Sequence, residues 1–213
     1  ESNATEGISI YIHLPFCESM CTFCGCNKRI TKNHSVEIPY IQSVLKELTL
    51  YVKLLGSTPL VKQLHLGGGT PTFFSPEHLD RLLDGVFSLT NKATEFELSF
   101  EGHPNNTTKE HLETLYKQGF TRVCYGVQDY NVKTATTTAR EVGYSSVGHD
   151  IIYGLPFQTQ DDVIFTISQT THLRPDRIAF YSYAHVPWMK GNGQRGFSDQ
   201  DLPSAEQKRK QYE

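Results

Sequence analysis

Two hydrophobic periods take turns along this chain. Short runs rich in β-branched and aromatic residues, the first at 8–13, carry the signature of strands. Longer stretches with apolar residues three and four apart follow them. In 38–55 these are Ile41, Val44, Leu45, Leu48, Tyr51, Val52 and Leu55, one face of a helix, with Pro39 in its first turn and Gly56 past its end. The same pattern predicts strands at 61–66, 96–100, 122–127, 147–152 and 177–183. It predicts helices at 76–87 behind a Ser75 N-cap, at 108–118 closed by Gly119, within 133–142, at 161–173, and from near Ser204.

Strands that alternate with helices make βαβ units and a parallel sheet. Six units imply an α/β fold with a curved sheet, a partial (β/α)6 parallel barrel, judged against the unit size of the full eight-strand barrel. Such sheets carry chemistry on the loops beyond the C-terminal strand ends. Here the first strand runs into a cysteine-rich loop and the second into Gly67-Gly68-Gly69-Thr70-Pro71. The third ends at Glu101, the fourth at Gly126-Val127-Gln128-Asp129, the fifth at His149-Asp150 and the sixth at Tyr183-Ala184-His185. A purely structural domain requires none of this.

The chain has 213 residues, a net charge of −3 and a pI near 6.3. That length suits one sizeable domain, and that charge gives no electrostatic case for nucleic acid or an anionic membrane. Residues 1–7 lack a signal-peptide layout and no apolar stretch approaches a membrane span, so cytoplasm is the expected location.

Four of the five cysteines, Cys17, Cys21, Cys24 and Cys26, lie within ten residues. The first three have the spacing C-x3-C-x2-C. Three thiolates can hold a [4Fe–4S] cluster at three corners and leave the fourth iron open. Structural zinc usually takes two well-separated pairs of ligands, and disulfides are rare in the cytosol. Zinc nevertheless stays open as an alternative. Cys124, in an apolar run, reads as a buried strand residue. Three glycines in a row exceed what a turn needs, and predict close backbone approach to a ligand with free N–H and C=O groups. Glu101 and Asp150, at the ends of apolar strands, suit ribose hydroxyls or serve as partners for Arg122 or Arg140.

The cysteine spacing followed by Gly67–Pro71 resembles the radical S-adenosylmethionine superfamily. Tyr11-Ile12-His13-Leu14-Pro15-Phe16-Cys17, Cys24-Gly25-Cys26-Asn27-Lys28, Gly126-Val127-Gln128-Asp129-Tyr130, Asp150–Pro156 and Tyr183-Ala184-His185 resemble, more narrowly, its oxygen-independent coproporphyrinogen III oxidases. The resemblance implies anaerobic conversion of two propionates of coproporphyrinogen III to vinyl groups by a 5′-deoxyadenosyl radical. It implies Cys17, Cys21 and Cys24 as ligands of a [4Fe–4S] cluster and two molecules of S-adenosyl-L-methionine. Tyr11, Gly68 and Glu101 match contacts to the first; Phe23, Cys26, Gly69, Thr70, Gln128, Asp150 and Ala184 match contacts to the second. An unidentified electron donor is implied as a partner, and a monomer is expected.

Two departures stand out. The family carries an additional arm after the position of Asn131, with an arginine that touches the cofactor, and it continues well past Glu213 into a domain that helps cover the site. Residues 1–187 are therefore expected to form the barrel domain and 188–213 to begin a C-terminal extension, in a chain that reads as a fragment. Glu101-Gly102-His103-Pro104 also lacks the family's usual acidic residue before this proline. Two other functions compete. Haem-chaperone relatives typically have an aromatic residue where Cys26 stands; a zinc-stabilised binding module would have no catalysis.

Overall fold

The computed structural model describes residues 6–127, 131–189 and 193–213. Eight strands and six α-helices follow in chain order. The strands are β1 (Ile8–Leu14), β2 (Phe16–Cys17), β3 (Arg29–Ile30), β4 (Leu60–Gly68), β5 (Asn91–Gly102), β6 (Phe120–Gly126), β7 (Ser146–Tyr153) and β8 (Arg177–Ser182). The helices are α1 (Glu37–Leu55), α2 (Pro76–Leu89), α3 (Lys109–Gln118), α4 (Asn131–Val142), α5 (Gln160–Leu173) and α6 (Ala205–Tyr212).

Six strands form one parallel sheet in the order β1-β4-β5-β6-β7-β8, and β2 and β3 form a small parallel pair beside it. The outer strands β1 and β8 do not pair with each other, so the barrel is partial. The expected α/β architecture and all six sheet strands are present.

Strand parity divides the sheet into two faces. Ile12, Leu14, Leu64, Leu66, Leu98, Phe100, Val123, Tyr125, Val147 and Ile151 are buried beneath the helices. The opposite parity carries Tyr11, His13, His65, Gly67, Ser99, Glu101, Cys124 and Asp150, held level by the pairs Tyr11↔His65, His65↔Ser99, Glu101↔Cys124 and Gly126↔Asp150. One face makes the core and the other lines the hollow.

The helix ends follow local chemistry. Ser75 accepts from the His78 N–H, Thr108 and Thr159 form capping boxes, and Gly56 and Gly119 close α1 and α3 in the left-handed conformation at φ 71° and 105°. At the start of α1, the buried Glu37 carboxylate accepts from Ser75 N at 2.9 Å and stands 2.6 Å from Nδ1 of both His34 and His78.

Several boundaries differ from expectation. The strand expected at 96–100 begins at Asn91, because Leu60↔Asn91 and Val61↔Lys92 pair ahead of a register shift. The threonine-rich stretch is fully helical, and its buried Thr136 hydroxyl lies 2.8 Å from His149 Nε2. Asp150 lies within β7, which continues to Tyr153. Residues 193–213 fold back: Lys208 Nζ donates to Tyr183 O at 3.1 Å, and the Tyr212 ring stacks on Phe180 at 6.1 Å.

His149 is fully buried, and desolvation, helped by the Arg140 charge, pushes its pKa from 6.5 to about 4. Between those values the unfolded chain binds a proton that the folded chain refuses. Stability from this residue is therefore complete above pH 6.5 and falls by about 3 kcal/mol as the pH drops towards 4. Urea unfolding at pH 7, 5 and 4 should show that loss, and His149→Gln should flatten the profile.

Candidate active site

The cysteine loop leaves β1 and is tied to the sheet at its root. Gly69 N donates to Leu14 O at 2.9 Å and Thr70 N to Phe16 O at 3.0 Å. The β2–β3 pair closes the excursion, with Arg29 N on Pro15 O at 2.8 Å and Thr31 N on Cys17 O at 2.9 Å. Phe16 is buried against Tyr40, Phe73 and Phe74, with ring centroids 5.3–5.8 Å apart. Cys17 Sγ, next in sequence, sits 3.3 Å from Thr70 Oγ1. The first cysteine thus inherits the rigidity of the core.

The glycines act otherwise than expected. The N–H of Gly68 donates to Glu101 Oε2 at 3.2 Å, and those of Gly69 and Thr70 are used by the cysteine loop, so these donors are not free. Where a Cβ would point from each glycine, protein atoms already stand. A Cβ on Gly69 would stand 2.6 Å from Pro15 O and 2.9 Å from Cys17 Sγ; one on Gly68, at φ +123°, would stand 2.9 Å from His13 Nδ1. A Cβ on Gly67 would first meet the Tyr11 ring, at 2.8 Å, and the Glu101 carboxylate, at 3.2 Å. The run exists so that the loop can lie directly on β4.

A cavity of about 470 Å³ opens where loop and strand ends meet. Cys17, Cys21, Phe23, Cys24, Cys26, Gly68, Gly69, Thr70, Glu101 and Asp150 all line it. Tyr11 stands beside this wall, stacked on His65 at 5.9 Å with its hydroxyl 3.1 Å from His13 Nδ1. Ala184 does not line the cavity; its carbonyl accepts from Gln194 Nε2 at 2.7 Å. Gln128 lies outside the described residues.

Neither acidic residue takes the arginine partner considered above. Arg122 pairs with Glu97, and Arg140 with Asp176 and the carbonyls of Leu173 and Arg174. Glu101 instead faces His65 Nε2 at 3.5 Å, while His65 Nδ1 is held by Ser99 Oγ at 2.8 Å. Asp150 accepts from the Cys124 thiol at 3.1 Å, and burial raises its pKa despite that bond. Cys124, expected in the core, is half-buried on the hollow face and lines the cavity. Its parity, shared with Arg122 and Gly126, was the available signal.

The thiols differ in proton affinity. A hydrogen bond from the Cys26 thiol, with help from the Cys26 N–H and Lys28, draws Cys24 from 9 to about 6. The same bond, together with burial, pushes Cys26 upward, and burial raises Cys17 and Cys21. Cys24 is therefore the thiol of the four that gives up its proton most readily. Among the described residues no group of three or more His, Cys, Asp or Glu surrounds a single-ion position. An iron–sulfur cube makes no such demand, because each thiolate binds a different iron; soft thiolates are its characteristic donors.

The profile of the Radical SAM superfamily matches residues 11–169. The oxygen-independent coproporphyrinogen III oxidase of Helicobacter pylori strain J99 is 38% identical over 94% of this chain and 47% of its own length. The enzyme of the same name from Escherichia coli K12 is 35% identical over the same shares. The solved structure of the Escherichia coli coproporphyrinogen III oxidase HemN, described as a radical SAM enzyme, superposes with a TM-score of 0.89 at 34% identity, over 97% of this chain and 50% of that one. HydG, a maturase of the [FeFe]-hydrogenase, shares the fold at a TM-score of 0.58 and 16% identity. The chain spans about half the length of the curated relatives it matches. With its C-x3-C-x2-C loop rooted on a glycine run at the mouth of a partial parallel barrel, the chain belongs to the radical SAM superfamily.

Proposed function

We propose that this chain is the catalytic barrel of an oxygen-independent coproporphyrinogen III oxidase. Cys17, Cys21 and Cys24 hold a [4Fe–4S] cluster. Gly68, Glu101 and Tyr11 lie towards a first S-adenosyl-L-methionine, and Phe23, Cys26, Gly69, Thr70 and Asp150 towards a second, with Gln128 and Ala184 assigned to it by the resemblance alone. The observation that supports this most is convergence: residues from β4, β5, β7 and the cysteine loop share one cavity.

When bound, cluster and cofactor would supply a carbon-centred radical able to take hydrogen from a substrate propionate. The chain's own residues prepare the site. Cys24, whose proton affinity the Cys26 thiol lowers, gives up its proton to a metal most readily of the four. The Glu101 carboxylate, fixed by Gly68 N–H and His65, presents acceptor positions to ribose hydroxyls or an ammonium group. Asp150, held by Cys124 within β7, aims a second acceptor into the mouth from across the sheet. Phe23 supplies an apolar wall. The substrate is coproporphyrinogen III, the electron donor is a separate molecule, and the working unit is a monomer in the cytoplasm. Among the described residues no helix is long and apolar enough to cross a membrane.

The glycines separate cluster from cofactor. Gly69→Ala drives its Cβ into Pro15 and Cys17 and should lose more than half of the iron bound after anaerobic reconstitution. Gly67→Ala displaces only side chains; it should keep the iron while S-adenosyl-L-methionine binding, measured by calorimetry, weakens about tenfold, or 1.4 kcal/mol. Full iron in Gly69→Ala would remove the cluster from this loop root.

In the full-length protein under anaerobic conditions, Asp150→Ala should retain the iron–sulfur spectrum and lose vinyl formation from coproporphyrinogen III by at least about a hundredfold, the loss of one group fixed in the reacting geometry. Full turnover would remove Asp150 from the site. Absence of turnover in the unmutated protein, with tight haem binding, would favour the chaperone reading.

A further inference from the structure

The barrel holds both ends of the cysteine loop, at its root and where His13 Nε2 stands 2.9 Å from Asn27 O; a segment from beyond the barrel holds the middle. Gly193 N donates to Cys24 O at 2.7 Å, and Arg195 N to Thr22 O at 3.3 Å. The Arg195 guanidinium spans both pieces of chain, with Nη2 on Met20 O at 3.1 Å and Nη1 on Gly193 O at 3.2 Å. These bonds reach carbonyls on both sides of Cys21 and at Cys24. Gly193 lies so close that a Cβ there would fall on the Cys21 carbonyl oxygen and stand 3.1 Å from Met20 Cγ. Gln194, between them, turns away and closes its own loop, accepting from Val186 N at 2.8 Å and donating to Ala184 O at 2.7 Å.

Cys17 is fixed through the core, whereas Cys21 and Cys24 lie in a stretch with little regular structure, whose internal ties are the turn bond from Cys24 N to Cys21 O at 3.3 Å and Lys28 Nζ on Cys24 O at 3.4 Å, the carbonyl that Gly193 N also reaches. Hydrogen bonds from a distant segment are what can set their backbone before any metal arrives. We propose that Gly193 and Arg195 are positioning residues: the 193–195 strap fixes the conformation of the cysteine loop and with it the directions of the Cys21 and Cys24 thiols. The consequence for iron rests on the cluster reading above; the mechanical part does not.

The test uses the full-length protein with Arg195→Gln, Arg195→Lys and Gly193→Ala, and Arg209→Gln as a control, since Arg209 pairs only locally with Glu213 on α6. Amide hydrogen exchange of the metal-free protein reads the loop directly. Losing one hydrogen bond from a charged group should speed exchange across 18–26 by about tenfold in Arg195→Gln. Gly193→Ala should do at least as much, Arg195→Lys should recover part of the protection, and the control should match wild type. Exchange in β4 and β5 should stay unchanged, which a general loss of stability would not allow. Iron retained after reconstitution should fall in the same order. Unchanged loop exchange in both Arg195→Gln and Gly193→Ala, or loosening spread evenly over the sheet, overturns the proposal. Loosened loops in the two variants, beside a wild-type protein that binds no iron, uphold the strap and sink the cluster reading instead.

Discussion

Everything at the site depends on how closely the cysteine loop can approach β4. The loop has almost no regular structure between Cys17 and Arg29, so its shape is imposed from outside. The imposition begins at Gly69, whose missing side chain lets Pro15 and Cys17 lie against the strand, and whose N–H, with that of Thr70, pins the loop root. Any residue with a Cβ would lift the loop off the sheet. Phe16 then anchors this contact in an aromatic cluster, which transmits the order of the core to the first cysteine within one residue.

The second constraint is parity. A parallel sheet with both faces covered reads as continuous apolar sequence, but here one face turns to the hollow. Inward positions were therefore free to become His65, Ser99, Glu101, Cys124 and Asp150 while their immediate neighbours stayed apolar. Register pairs on adjacent strands place these groups side by side, so each acidic residue meets a neutral or histidine neighbour from the next strand: Glu101 faces His65, and Asp150 faces Cys124. Each carboxylate is oriented without being consumed by a strong salt bridge.

Much of this was legible in the chain. The six sheet strands and the helix ends at Ser75, Gly56 and Gly119 follow from period and local chemistry alone. The cysteines, Glu101 and Asp150 announced themselves at or near strand ends. What escaped has physical reasons. The polar start of β5 pairs only by virtue of a register shift, which no hydrophobic pattern encodes. The β2–β3 pair is two residues long on each side and exists through hydrogen bonds across the loop. The glycines pointed to close approach; the loop root makes one such approach at Gly69, which the pattern did not foretell, while Gly68 and Gly69 also line the cavity. The hold of Arg195 on Met20 spans a separation of 175 residues and leaves no local trace.

The sheet order has one more implication, and it concerns time. Apart from the β2–β3 excursion, each sheet strand pairs with the one made immediately before it. A chain emerging from the ribosome can extend such a sheet strand by strand, each new element finding its edge already present. The cysteines are made among the first residues, yet the segment bonded to Met20, Thr22 and Cys24 is made near the end of the described chain. The nascent loop must therefore wait, rooted at Cys17 and loose beyond it, until the whole sheet has been synthesised. Order in the cysteine thiols becomes a report that the barrel is complete, so a chain cut short after β8 would hold every cysteine of the motif without the frame that aligns them.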